Sequence, residues 1–227
     1  MTTFGESHGE GMGLILDGCP AGLDISKEDI QKELDKRKPG QSDITTQRKE
    51  TDEVHILSGI FEGKTLGTPI GMLFHNKDAR AEDYAHLKNT FRPSHADFTY
   101  EAKYGRRDYR GGGRASARET VCRVAAGAVA KKLLELEGMQ IFAYVHTIYD
   151  RQIPESTRES IWFDYTARES NKVRCPHPET ADKMLHIIES ARDEGDTVGG
   201  IIECVVGNPP AGLGEPVFDK LHSSLGR

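Results

Sequence analysis

Hydrophobic and polar positions alternate along the chain in a way that predicts eight elements. The run Gly11 to Asp17 (GMGLILD) reads as a short strand, closed by the turn residues Gly18, Pro20 and Gly22. Ser26 opens a helix with a capping box, Ser26-x-x-Asp29, and places Ile30 and Leu34 on one face. Pro39-Gly40 ends that helix near Arg37-Lys38. Residues 41–53 are polar and aperiodic, hence a loop. Val54 to Phe61 and Thr68 to Phe74 read as two strands joined through a Gly63-Lys64 turn, with Thr68-Pro69 suited to a strand's beginning.

From Asn76 to Tyr109 there is no apolar period, only turn residues and aromatics, and a connection of that length is usually functional. A long helix follows. Ser116 and Glu119 form a second capping-box pattern, Val121, Val124, Ala125, Ala128, Val129, Leu133 and Leu136 keep the helical period, and Gly138 suits the left-handed residue beyond its end. Met139 to Ile148 alternates as a strand, 179–193 is helical, and 198–206 is a further strand. The order β-α-β-β-α-β-α-β predicts a mixed α/β (α+β) fold in one domain, residues 1–227, with helices packed between or against sheets. At the end, Phe218, Leu221 and Leu225 begin an amphipathic helix with nothing yet to cover it, so the chain reads as cut off.

Composition adds limits. The 227 residues are 36% hydrophobic, enough for a packed core without a metal or disulfide staple. No apolar run approaches the ~20 residues of a membrane span. The opening residues have neither the basic stretch nor the apolar core of a secretion signal, so the expected location is the cytoplasm. Cys19, Cys122, Cys175 and Cys204 are far apart with no C-x-x-C pair, which argues against a zinc or disulfide framework, and no metal site is expected. The net charge of −6 disfavours a general nucleic-acid binder. Yet Lys103 to Arg123 holds seven basic side chains against Asp108 and Glu119 alone. Such a cluster in an acidic chain points to a small, highly charged anion.

Three stretches could carry chemistry. Gly5-Glu-Ser-His-Gly-Glu-Gly11 sets titratable groups among glycines just before a strand, with His8 able to act as an acid near neutral pH. A Ser7-His8 dyad is disfavoured, because neighbours in an extended segment point opposite ways. In Arg92-Pro-Ser-His-Ala-Asp97, Asp97 is close enough to orient His95 if the segment is extended. The glycine run before Arg114 feeds a helix N-terminus where N–H groups and the dipole favour an anion, and Arg114 and Arg118, four apart, can face one ligand. It is neither a Walker A loop nor a dinucleotide fingerprint.

Together these stretches resemble the chorismate synthases. Gly5-Glu-Ser-His-Gly9 through Asp17-Gly-Cys-Pro20 is similar to that family's first motif. Gly113-Arg-Ala-Ser-Ala-Arg118-Glu-Thr120, with Val124 and Gly127, is similar to its second. Arg37-Lys-Pro-Gly40, Thr45-Thr-Gln-Arg48, Leu57 to Gly63, Arg92 to Asp97 and Gly212 to Val217 extend the likeness over essentially the whole chain. The resemblance implies a β-α-β sandwich and a homotetramer. It also implies a 1,4-elimination of phosphate from 5-enolpyruvylshikimate 3-phosphate to give chorismate, with reduced FMN, the flavin being reduced by an external enzyme or by an intrinsic NADPH activity. By the same resemblance His8 protonates the leaving phosphate, and His95 keeps the flavin correctly protonated. Arg37, Arg48, Arg92 and Arg118 hold the substrate's anionic groups, while Arg114, Ala115 and Ser116 contact FMN. Ala115 replaces the usual serine, and Asp43 stands where many members have arginine. The family's opening strand is expected before Thr2. A C-terminal part with a third motif, much of the flavin site and a proposed aspartate base is expected beyond Arg227. The alternatives are a non-catalytic fragment and a polyanion- or RNA-binding module built on 106–118.

Overall fold

A computed structural model describes residues 1–45, 50–77, 81–157, 160 and 165–226. It divides into two compact units, Met1–Leu133 and Leu134–Arg227.

The first unit opens with an antiparallel hairpin, β1 (Thr2–Gly5) against β2 (Gly11–Leu16), with the 6–10 loop as its turn. Thr2–Gly5 is thus a strand itself, too short to announce itself in sequence and defined by its partner. Helix α1 (Lys27–Arg37) starts at the expected capping box: Ser26 Oγ accepts from the Asp29 N–H at 3.1 Å, and Asp29 Oδ2 accepts from the Ser26 N–H at 2.9 Å. The single strand expected over 54–61 is two. β3 (His55–Ser58) joins the main sheet, and beyond a break at Gly59, β4 (Ile60–Phe61) folds onto β5 (Lys64–Thr65). The turn between them is Glu62-Gly63, both at positive φ, one residue earlier than expected.

Strand β6 (Ile70–His75) completes a four-stranded sheet of order β1-β2-β6-β3, antiparallel throughout. Alternation along β6 sends Ile70, Met72 and Phe74 to one buried face. They share a core with Met12 and Leu14 of β2, Ile30 and Leu34 of α1, and Val121, Cys122, Ala125, Ala128 and Val129 of α3 (Thr120–Leu136). Each large side chain so buried contributes about 1.5–3 kcal/mol. The Cys122 thiol reaches the Gly13 carbonyl at 3.3 Å, and burial pushes its pKa from 9.0 to about 11, so it packs as a neutral group.

The stretch 76–109, expected to lack regular structure, contains a 3₁₀ helix (Ala81–Leu87) and α2 (Asp97–Tyr104). α2 shows no apolar period because most of its residues are exposed. The second capping box does not form. Ser116 caps a 3₁₀ turn (Ala117–Glu119) by accepting from the Arg118 N–H at 3.2 Å, and Glu119 pairs with Arg114 and Arg123 instead of reaching back.

In the second unit β7 (Gln140–Ile148) pairs antiparallel with β8 (Arg151–Gln152) and β9 (Gly200–Gly207). Gly138 takes the expected left-handed conformation at φ 72°. Helix α4 (Pro178–Asp193) is capped by His177, whose Nδ1 accepts from the Thr180 N–H at 3.3 Å. A short helix, α5 (Leu221–Leu225), follows, with Phe218 and Leu225 exposed. The mixed α/β class holds, with open sheets. Among the described residues, no helix is long and apolar enough to cross a membrane.

Candidate functional site

The hairpin turn places the first chemical group. Gly9 N–H donates to the Glu6 carbonyl at 3.1 Å, so residues 6–9 turn rather than extend. The expectation that Ser7 and His8 diverge therefore fails: Ser7, fully buried, has its Oγ 3.0 Å from His8 Nδ1. The imidazole meets Tyr84 edge-on, with centroids 4.7 Å apart. On another side lies Gly111 at φ 67°, where a Cβ would stand 2.1 Å from His8 Nδ1. Any side chain there would press on the imidazole, at a backbone conformation that favours glycine.

Arg92 and Asp97 form the second piece. Arg92 Nε and Nη2 donate to the two Asp97 oxygens at 2.8 and 2.9 Å, and the Arg92 backbone N–H adds a third bond at 3.0 Å. These bonds hold the Asp97 carboxyl far below the usual carboxylate range. Asp97 therefore orients Arg92, not His95. His95 is exposed and sets Nδ1 3.0 Å from the Pro93 carbonyl, an acceptor, so Nδ1 carries the proton. Arg92 Nη2 also donates to the Gly111 carbonyl at 2.8 Å, tying this segment to the glycine against His8.

Arg114 and Arg118, expected to face one ligand, part company. Arg114 donates to the Gly5 carbonyl at 2.7 Å and to Thr3 Oγ1 at 2.5 Å. Arg118, 2% exposed in its side chain, ion-pairs with Asp52 through Nη1 and donates from Nε to Asn76 Oδ1 at 3.0 Å. Asp52, fully buried and at φ 48°, also receives Arg37 Nη1 at 2.6 Å. One carboxylate thus holds two of the arginines that the sequence singled out. A positive φ is uncommon for residues with a side chain, though aspartate is among those that adopt it most readily.

The basic excess over 103–123 is smaller in space than in sequence. Arg107 reaches Asp97 and Glu101, Arg110 reaches Asp108, and Arg118 reaches Asp52. Three of those four acids, Asp52, Asp97 and Glu101, lie outside residues 103–123. Arg106 is exposed and has no ion-pair partner among the described residues.

These pieces enclose a cavity of about 1030 Å³ lined by His8, Arg92, His95, Arg114, Ala115 and Ser116, together with Glu6, Tyr84, Arg106 and Asp108. Burial, then the charge of Asp108, raises the pKa of Glu6. Asp108 is itself lowered, chiefly by its hydrogen bond from Arg110 and to a smaller degree by the charge of His8. Arg37 and Arg118 do not line the cavity; they sit on Asp52. Arg48 lies outside the described residues. Among those described, no group of three or more His, Cys, Asp or Glu side chains is arranged to hold a metal ion.

The family profile of chorismate synthase matches residues 1–227. The chain belongs to the chorismate synthase family. It is 57% identical over 228 residues to the chorismate synthase of Synechocystis sp., covering 100% of this chain and 62% of that protein. It is 55% identical over 227 residues to that of Christiangramia forsetii, covering 100% and 63%. The chain thus spans about 62% of the length of these curated relatives. A crystal structure of a chorismate synthase superposes with a TM-score of 0.74 at 34% identity, covering 94% of this chain and 59% of that one.

Against the chorismate synthase motifs, the structure brings six carried-over residues to one cavity and sets two behind it on Asp52. Sequence reasoning missed Asp52, Asn76 and Tyr84, because Arg118 lies 66 and 42 positions from the first two, and His8, which Tyr84 meets, stands on a different segment. Arg106 belongs to the basic stretch that the sequence singled out, and it stands on the cavity wall.

Proposed function

We propose that this chain carries the substrate side of a site for the 1,4-elimination of phosphate from 5-enolpyruvylshikimate 3-phosphate. The carrying observation is that three separate segments, 6–8, 92–97 and 112–117, meet at one cavity that holds both histidines and the Arg114–Ser116 turn. Kinship with chorismate synthases supplies the reaction. In it, the bond from the ring to the phosphate oxygen breaks, a proton leaves the ring in a 1,4 relation, and a second ring double bond forms.

His8 hands a proton to the departing phosphate. Its Nδ1 faces Ser7 Oγ and Gly111, which fixes the ring plane. The Pro93 carbonyl fixes His95 with the proton on Nδ1, leaving Nε2 to hold or accept a proton at the cavity. Arg92, locked on Asp97, presents a fixed positive edge, while Arg106 brings a further cation to the cavity. Arg37 and Arg118 act from behind, as a charged base anchored on Asp52, and Arg48 is assigned to the same anionic site.

We read the residues present as part of a site for reduced FMN. The cavity is at the upper end of small-ligand sites, and it offers the rings of Tyr84, Tyr100 and Tyr104 together with Arg106, Arg114, Ala115 and Ser116. When bound, it would lend electron density as the phosphate leaves and regain it afterwards. The same kinship supports a homo-oligomeric working state.

His95 is the direct test, because it is exposed and, among the described residues, its ring bonds only to the Pro93 carbonyl, so His95→Ala leaves the packing intact. In the protein that carries this chain, the variant is expected to lose about 10²–10⁴ in turnover, with affinity for 5-enolpyruvylshikimate 3-phosphate changed by less than about threefold. Turnover at the wild-type rate with reduced FMN supplied would remove His95 from the mechanism.

A further inference from the structure

The His8 turn is held from below by a residue that the motifs do not include. Asn76 follows β6 directly, and its side-chain amide spends both faces. Nδ2 donates to the Glu6 carbonyl at 3.0 Å and to the Gly9 carbonyl at 2.9 Å, the two ends of the turn that carries His8. Oδ1 accepts from Arg118 Nε at 3.0 Å. The partners fix the orientation of the amide, since carbonyls can only accept and a guanidinium can only donate. A backbone bond from the Asn76 N–H to the Glu10 carbonyl, 3.0 Å, adds a third tie to the same loop.

From Asn76 the network continues inward. Arg118 is pinned by Asp52, which Arg37 also grips, and the Asp52 side chain is fully shielded from solvent. A buried carboxylate between two guanidinium groups does not shift without losing both. Position is therefore transmitted outward from Asp52 to Arg118, to Asn76, and to both ends of the Glu6–Gly9 turn. Above the turn, Gly111, held by Arg92, closes on the imidazole. His8 is gripped between the two.

We propose that Asn76 is a positioning residue for His8, clamping the turn that carries it and registering that turn against the Asp52-anchored arginines. The clamp stands on the geometry alone; its effect on turnover rests on His8 being the proton donor. Asn76→Asp separates the two functions of the amide. It is nearly isosteric and keeps an acceptor for Arg118, but it replaces both donors with a carboxylate oxygen facing two carbonyls. Asn76→Ala removes everything.

The measurement is the set of imidazole NMR signals of His8 and His95, assigned through His8→Ala and His95→Ala, alongside kcat and KM. Asn76→Asp and Asn76→Ala are both expected to move the His8 signals and leave those of His95 in place. They should also lower kcat by about ten- to a hundredfold with KM for 5-enolpyruvylshikimate 3-phosphate within about threefold, the cost of a donor displaced by a fraction of an ångström to an ångström. The proposal is overturned if the His8 signals in Asn76→Asp match wild type, or if both histidines shift together, which would mark a general loosening. Should the wild type not turn over this substrate, the functional reading fails while the NMR comparison still decides the clamp.

Discussion

At Gly111 the glycine run comes closest to the imidazole of His8, and the contact explains why that position carries no side chain. A methyl group there would lie 2.1 Å from Nδ1, at a backbone φ of 67° that disfavours any L side chain. Gly111→Ala should therefore lower turnover by about 10²–10⁴, as deletion of the His8 imidazole would, because the ring must move to admit the Cβ. Steady-state rates with reduced FMN check this, and a rate within threefold of wild type would show that the ring is free to swing aside without consequence. His8, His95 and the Arg114–Ser116 turn were legible in sequence because short motifs carry them. The clamping residues were not. Asp52 and Arg118 are 66 positions apart, so a local count of charge sees an unbalanced cluster where space holds an ion pair. Asp97 shows the reverse error: proximity in sequence suggested His95 as its partner, while the fork of Arg92 offers two bonds and a better match.

Among the elements, those with local determinants appeared where expected. α1 begins at the reciprocal bonds of Ser26 and Asp29 and stops ahead of Pro39, and its apolar pair Ile30 and Leu34 is fully buried. Ser26→Ala removes the cap and is expected to cost about 1 kcal/mol of stability, with affinity for the substrate unchanged. Thermal or urea unfolding reads the first, and calorimetric titration the second. A loss of affinity would mean that α1 positions Arg37 more tightly than its cap alone suggests. Elements defined by tertiary context were misread. The apolar run over 54–61 continues through Gly59, but its second half pairs with β5 instead of β6. α2 has no buried stripe because it stands at the cavity, with Tyr100 and Tyr104 on its wall. The Ser116 box gave way to a 3₁₀ turn because Glu119 found arginines on both sides.

For the whole molecule, the order of elements read from the sequence matches the mixed α/β class and most of the strand and helix positions, and six residues of the chorismate synthase motifs line one cavity. What order along the chain could not supply was depth: which arginines face the cavity and which stand behind it. Arg37 and Arg118 share Asp52, Arg92 is spent on Asp97, and Arg106 is left exposed at the cavity. On the proposed function, this cavity, with His8 as its proton donor, removes phosphate from 5-enolpyruvylshikimate 3-phosphate. The most direct measurement follows inorganic phosphate and chorismate together, without oxygen, in the protein that carries this chain and in its His8→Ala variant. Equimolar phosphate and chorismate are expected, dependent on reduced FMN, with the rate falling about 10²–10⁴-fold in the variant. Phosphate released without chorismate, release indifferent to the flavin, or a His8→Ala variant as fast as wild type would contradict it.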